Sequence, residues 1–253
     1  VSNIILGSDG IAIRQGIYEE SSVSKTDLGR FIDFQDGRRF RYCQASGAIT
    51  KGHMAAAGAV VANDNTVTQT GMTVSISGGY IGAKVIKVLL AAATTANLYA
   101  GGFFVVEGGT GLGQCHRIKK NKAGGASVAS PCELTLYDPL VVALDATSII
   151  SLTKNKYKDV VVDPATVVRE PIGVPLITIT AGGYYFWAQT RGYCAIAVDT
   201  SDTVVTGQFV MNGSTVAGAC EPVTATDVKI VPFGVVVQVA AADTYATIDL
   251  HLE

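Results

Sequence analysis

Charge is scarce in this chain. Charged residues are 16% of 253, where an average soluble domain has about a quarter, so part of the surface is expected to meet protein instead of water. Lys+Arg 19 against Asp+Glu 21 leaves a formal charge of −2, which removes the basic excess of a sequence-independent nucleic-acid binder. Leucine (14 residues) and methionine (3) are few, so favoured helix formers are short. No apolar run approaches the 18 residues of a membrane helix, because the nearest, Val85 to Ala93, is cut by Lys87. The opening VSNIILGSDG shows neither the basic nor the apolar region of a secretory signal. The five cysteines, Cys43, Cys115, Cys132, Cys194 and Cys220, form no CxxC pair and are odd in number, which fits a reducing compartment better than a disulfide scaffold.

Catalytic and ligand motifs are equally sparse. His53, His116 and His251 are far apart, and Cys115 and His116 point to opposite faces of a strand, so no metal ligand set forms locally. No GxSxG is present. EGGTGLGQ (107–114) is glycine-rich, yet the strand-like CHRIKK follows it where a phosphate site needs a helix N-terminus. It reads as a tight turn. The carboxylates stand mostly beside turns, as in LYDP, VVDP and VALD.

What is abundant is strand chemistry. Valine, isoleucine and threonine together fill 74 positions, and β-branched side chains suit a pleated surface. Residues 1–27 show no sustained period and read as an extended N-terminal arm. LGRFIDF and RRFRYCQA flank Asp36-Gly37, a strong hairpin signal; Phe40 and Tyr42 share one face of the second strand, and Arg39 and Arg41 the other. Further short strands follow at the spacing of sandwiches and barrels. The Ala-rich segments 54–62 and 91–100 lack an amphipathic stripe, so little helix is expected. PIGVPLITITAGGYYF from Pro171 aligns without gaps to PFGVVVQVAAADTYAT from Pro232, at a constant offset of 61. Each copy reads as strand, turn, strand, and two copies are fewer than a solenoid needs. In the first copy Tyr184 and Phe186 alternate with Tyr185 and Trp187, so aromatics occupy both faces.

Three basic groups stand out: Arg30, Arg38, Arg39 and Arg41 on the hairpin; Arg117, Lys119, Lys120 and Lys122; and Lys154, Lys156 and Lys158 around Tyr157. The arginine hairpin is the better docking candidate, because guanidinium groups pair bidentately with carboxylates. Residues 1–160 hold 16 Lys/Arg and 12 Asp/Glu, and residues 161–253 hold 3 and 9, so the two parts differ in sign.

GSDG near the start, FQDGRRFRYCQA followed by KGHMAA, LYAGGFFVVEGGTGLGQCHRIKKN with ELTLYDPLVVAL, and PIGVPLITITAGGYYFWAQTRG together resemble virion structural proteins of tailed bacteriophages. They look most like capsid decoration, or cement, proteins. The resemblance implies an all-β, non-enzymatic homotrimer, assembled in the host cytoplasm, that binds the exterior of the capsid and clamps neighbouring capsomers. Its partners would be the major capsid protein and further copies of itself, without nucleic acid, membrane, metal or cofactor. The expected organisation is an arm over 1–27, a barrel or sandwich-type lobe from 28–77 plus 164–253, and an inserted β lobe over 78–163. Expected capsid contacts are Ile4, Ile5, Ile11 and Ile13 on the arm with Arg30, Arg38, Arg39 and Arg41 on the hairpin. Tyr184, Tyr185, Phe186 and Trp187 are expected at a subunit interface. The alternative is a head-fibre or tail-associated module that binds host surface polysaccharide through Tyr184, Tyr185 and Trp187.

Overall fold

The computed structural model describes residues 5–6, 10, 12–58, 66–68, 79–90, 92–125, 129–145, 147–166, 169–224 and 232–253. Among the described residues there is no helix, and the strands form curled antiparallel sheets of an all-β, sandwich or barrel type. In chain order they are β1 (Ile5–Leu6), β2 (Ala12–Ile13), β3 (Phe31–Asp33), β4 (Arg39–Gln44), β5 (Ala55–Ala56), β6 (Thr66–Thr68), β7 (Val85–Val88), β8 (Phe103–Gly108) and β9 (Cys115–Asn121). The rest are β10 (Cys132–Leu136), β11 (Ile149–Thr153), β12 (Val161–Val162), β13 (Pro171–Pro175), β14 (Tyr185–Ala197), β15 (Phe209–Asn212), β16 (Cys220–Pro222), β17 (Gly234–Gln238) and β18 (Tyr245–His251).

Two compact units result, one from 1–58 with 156–253, the other from 59–155. The breaks differ from the expected 77/78 and 163/164 for a reason of pairing. Strand β6 pairs with β11 and so belongs to the inserted unit, whereas β12 pairs with β5 and so belongs to the first.

The first unit carries a ten-stranded sheet in the order β12-β5-β13-β14-β18-β17-β15-β16, with β4 paired to β14, and β3 to β4. That order shows the repeat to be larger than sequence alignment detects. The set β4, β5, β12, β13 and the start of β14 is matched, pairing for pairing, by the end of β14, β15, β16, β17 and β18. Thus β4·β14 corresponds to β14·β18, β13·β14 to β17·β18, β5·β13 to β15·β17, and β5·β12 to β15·β16. Details outside the strands agree. Ile49 bridges Ile179 as Val204 bridges Ala240, and Ala45 runs parallel to Val160 as Val198 does to Cys220. Gly52 N–H donates to Pro175 O at 2.9 Å, and Gly207 N–H to Val236 O at 2.8 Å. Both glycines have positive φ, +71° and +86°, a backbone conformation that side chains resist. The long strand β14 serves both copies. Between β15 and β16 the second copy has the short loop 213–219; at the corresponding place between β5 and β12 the first copy carries the whole second unit.

Both faces of the first half of β14 are covered by the chain itself. Phe186 and Ala188 pack with Cys43, Ile49, Ile172 and Ile179. Trp187, on the opposite face, packs with Ile13, Ile17, Ile32, Phe40 and Tyr42, and burying each large side chain contributes about 1.5–3 kcal/mol. The segment expected to be a free arm is therefore partly core. Ile13 is 1% exposed, Trp187 Nε1–H donates to Gln15 O at 3.1 Å, and Ser21 bridges Tyr185.

The second unit is a six-stranded sheet, β6-β11-β8-β9-β10-β7. Alternate residues point to its core, among them Ile86, Phe104, Val106, Ile118, Leu134 and Leu152. The glycine-rich 107–114 segment is the β8–β9 turn: Gly113 N–H donates to Val106 O and Val106 N–H to Gln114 O, both at 2.9 Å.

Candidate functional site

The Asp36-Gly37 hairpin forms as its pattern predicts, with β3 and β4 antiparallel and Phe40 and Tyr42 buried. Its arginines, however, are occupied. Arg39 grips Asp33 with two bonds, Nε to Oδ1 at 2.7 Å and Nη2 to Oδ2 at 2.9 Å. Arg41 Nε donates to Glu253 Oε1 at 2.7 Å, and its Nη1 to Gly29 O at 2.7 Å. Arg38 Nε donates to Asp36 Oδ2 at 2.7 Å, and its guanidinium lies 5.5 Å from the centre of the Phe34 ring. Phe31 lies beneath both Arg39 and Arg41, at 4.8 and 5.0 Å. Arg30 Nη1 donates to Thr26 Oγ1 at 3.1 Å.

Titration follows this geometry. The hydrogen bond from Arg39 holds the Asp33 carboxyl below its ordinary range. Burial pushes Glu253 up, but Arg41 and Arg39 outweigh it and leave that carboxyl lowered. Arg38, Arg39 and Arg41, expected as carboxylate-seeking groups, are each paired with acidic groups of their own chain, one of them over 200 residues away in sequence.

The aromatic expectation is corrected for Phe186 and Trp187. Phe186 and Trp187 are 0% and 1% exposed, so they neither meet a second subunit nor form a sugar-stacking platform. Tyr184 is half-buried against the Phe186 cluster. Tyr185 stacks on Tyr42 with ring centres 5.9 Å apart and accepts a 3.1 Å hydrogen bond from Gln44 Nε2. Of the arm residues proposed as anchors, Ile13 is core, Ile5 lies on β1, and Ile4 and Ile11 fall outside the described residues.

Three features were not legible as sites in the sequence. Asp163 is 1% exposed, yet neither of its carboxylate oxygens has a hydrogen-bond partner, and the buried Oδ1 of Asn212 has none either. Burial raises this carboxyl to about 7, against the opposing pull of Arg169 and the Asn212 amide. The VVDP context pointed only to a turn.

The second feature is an apolar tip on the inserted unit. Tyr80, Ile81, Leu112, Val141 and Val142 are between 46% and 69% exposed, on three loops fastened together. Gln114 Oε1 accepts from Val141 N at 2.9 Å and Val142 N at 3.0 Å, and Gln114 Nε2 donates to Val142 O at 3.0 Å. Leu144 N–H donates to Gly79 O at 2.6 Å, and Gly82 N–H to Leu140 O at 2.8 Å. The third feature is the outward face of β9, whose basic residues stand beside exposed aromatics of neighbouring strands.

Among the described residues no three His, Cys, Asp or Glu side chains gather as a metal ligand set. Burial pushes the thiols of Cys132, Cys194 and Cys220 up to about 11, 12 and 12, and that of Cys43 further still.

Fold and surface define a class: an all-β chain of hairpins with a duplicated sheet and an inserted second β unit. Beyond that class, no family model, curated protein or solved structure matches the chain.

Proposed function

We propose that this chain is a non-catalytic structural protein of a tailed-phage virion, one that binds the exterior of the capsid and stabilises contacts between capsomers. The observation that supports it best is the apolar tip of the inserted unit. Exposed apolar patches mark protein–protein contacts, and Gln114 ties the loops of this one together, which lowers the ordering entropy lost on docking. Capsid clamping needs no chemistry beyond such contacts. Each copy that binds the closed shell but not its dissociated capsomers shifts assembly by mass action, and symmetric repetition multiplies a modest contact. The tip is assigned to contact with capsid or sister subunits in place of the hairpin arginines and the β14 aromatics.

Sedimentation with naked expanded capsids tests the reading. Wild type is expected to co-sediment, and Leu112→Asp/Val141→Asp to stay in the supernatant while keeping its melting temperature. Wild type that fails to pellet with capsids, but is retained on host envelopes, would replace this function with the adhesin alternative.

A further inference from the structure

The inserted unit concentrates its cations. Residues 59–155 hold seven Lys and Arg and five Asp and Glu, and six of those seven cations lie on or beside β7 and β9. Glu133 is taken up by Lys122 at 2.8 Å, Asp145 is engaged by Thr110 and Thr147 in the loops, and Glu107 stands exposed towards the far end of β8 on the side of Phe103. No ion pair joins Arg117, Lys119, Lys120 or Lys87 to a carboxylate among the described residues.

Backbone geometry concentrates these cations on one side. Along β9, strict alternation would expose only every second residue, but pairing with β10 shifts register between Thr135 and Leu136. The bulge leaves Lys119 and Lys120, adjacent in sequence, both exposed. Bulges re-aim side chains in this way. It also turns Asn121 inward, where its Oδ1 accepts from Tyr99 N–H at 2.9 Å.

Aromatics flank the cations. Phe103, 46% exposed, is the register partner of Arg117 on β8. On the other side Tyr137, 44% exposed, lies under the Arg117 guanidinium at 4.9 Å, and Lys84 Nζ donates to its carbonyl at 3.0 Å. From Arg117 to Lys122 the strip is about 17 Å long at 3.3 Å per residue, narrow and open.

We infer that this outward face of β7, β8, β9 and β10 binds a linear acidic polysaccharide, whose carboxylates meet the lysines and whose sugar rings lie against Phe103. Charge complementarity selects a polyanion. Three details select among polyanions. Arg117 already covers one face of Tyr137, so on this strip Phe103 is the ring without a cation over it, where single-stranded nucleic acid calls for successive stacking platforms. The unpaired cations are mainly lysines, mobile point charges suited to spaced anions and not to the fork geometry of an acidic protein surface. The face is a long open strip, which accommodates a polymer chain. This assignment concerns the inserted unit alone and does not rest on the capsid reading; capsid sedimentation and glycan binding fail or succeed separately.

The test is fluorescence anisotropy with the full chain and a labelled polygalacturonate oligomer at low ionic strength, beside uncharged dextran and oligo-dT of matching length. Wild type is expected to bind polygalacturonate more tightly than oligo-dT and to ignore dextran. Arg117→Gln/Lys119→Gln/Lys120→Gln should weaken binding at least ten-fold and flatten its salt dependence, at unchanged melting temperature. Phe103→Ala should weaken it several-fold without changing the salt slope. If the triple variant melts lower, Lys119→Gln/Lys120→Gln, confined to exposed side chains, carries the same comparison. Absence of polygalacturonate binding, tighter binding of oligo-dT, or an equal loss in the control Lys25→Gln/Lys51→Gln/Arg191→Gln would each overturn the assignment.

Discussion

Asp163 sits in the interior of the first unit, opposed only by Arg169 and the Asn212 amide, and a buried carboxylate so weakly met is among the costlier features a fold can carry. Its carboxyl is raised from 3.8 to about 7. In the unfolded chain it ionises near pH 4, whereas in the folded chain it keeps its proton until about pH 7. Between those values the folded state binds the extra proton, so stability falls as pH rises, and the loss is complete above the folded pKa. At about 1.4 kcal/mol per unit the loss reaches roughly 4 kcal/mol at most. Asp163→Asn is expected to match wild type at pH 4 and exceed it by about 2–4 kcal/mol at pH 8 in urea titrations. Equal stability of the two proteins at pH 8 would show that the carboxyl is solvated after all. The carboxyls of Asp33 and Glu253, lowered by their arginines, act with the opposite sign: their contribution is present above pH 4 and lost on acidification. The comparison with Asp163→Asn therefore isolates one group.

Among the elements, the two hairpins of the repeat depend on glycine at matching positions. A Cβ on Gly173 would stand 2.7 Å from Gln189 O, and one on Gly234 would stand 2.6 Å from Asp249 O. In both cases the obstacle is the carbonyl of the neighbouring strand, which cannot withdraw without breaking the ladder. Gly234→Ala and Gly173→Ala should each cost about 1–3 kcal/mol, measured by chemical denaturation, whereas Gly47→Ala, with open space around it and no left-handed backbone, should cost less. Similar stability of all three variants would mean that the close approach is not maintained in solution. The glycines were visible in the aligned repeat, as was the alternation of Phe40 and Tyr42 with Arg39 and Arg41. What covers the strands was not visible. Trp187 is capped by Ile13 and Ile17, and Arg41 is met by Glu253, partners so distant in sequence that no local period encodes them.

At the scale of the whole molecule, the second unit occupies a loop of the first copy that the second copy closes with residues 213–219. Gly58 and Gly213 mark the same point. A Cβ on Gly58 would meet Asp159 O at 2.4 Å, and one on Gly213 would meet Ala219 O at 3.1 Å, so the chain leaves and returns through one narrow neck. Insertions are tolerated where chain ends lie that close. Residues 1–58 joined to 156–253 by a short Gly/Ser linker should fold and melt cooperatively, retaining the β-sheet circular dichroism of the first unit. An expressed but unfolded product would show that the first unit depends on the second. The same product provides a negative control for polygalacturonate binding. Strand-rich composition, the scarcity of leucine and methionine, the Asp36-Gly37 turn and the spacing of Pro171 from Pro232 by themselves determined an all-β chain of hairpins with an internal repeat, because these are properties of composition and of neighbouring residues. Only the tertiary structure decided that the repeat is a five-strand duplication sharing β14, that the hairpin arginines are paired within the chain, and that cations of the inserted unit gather along β9 beside Phe103 and Tyr137. Those outcomes are contacts between segments far apart in sequence, fixed by which strand lies beside which.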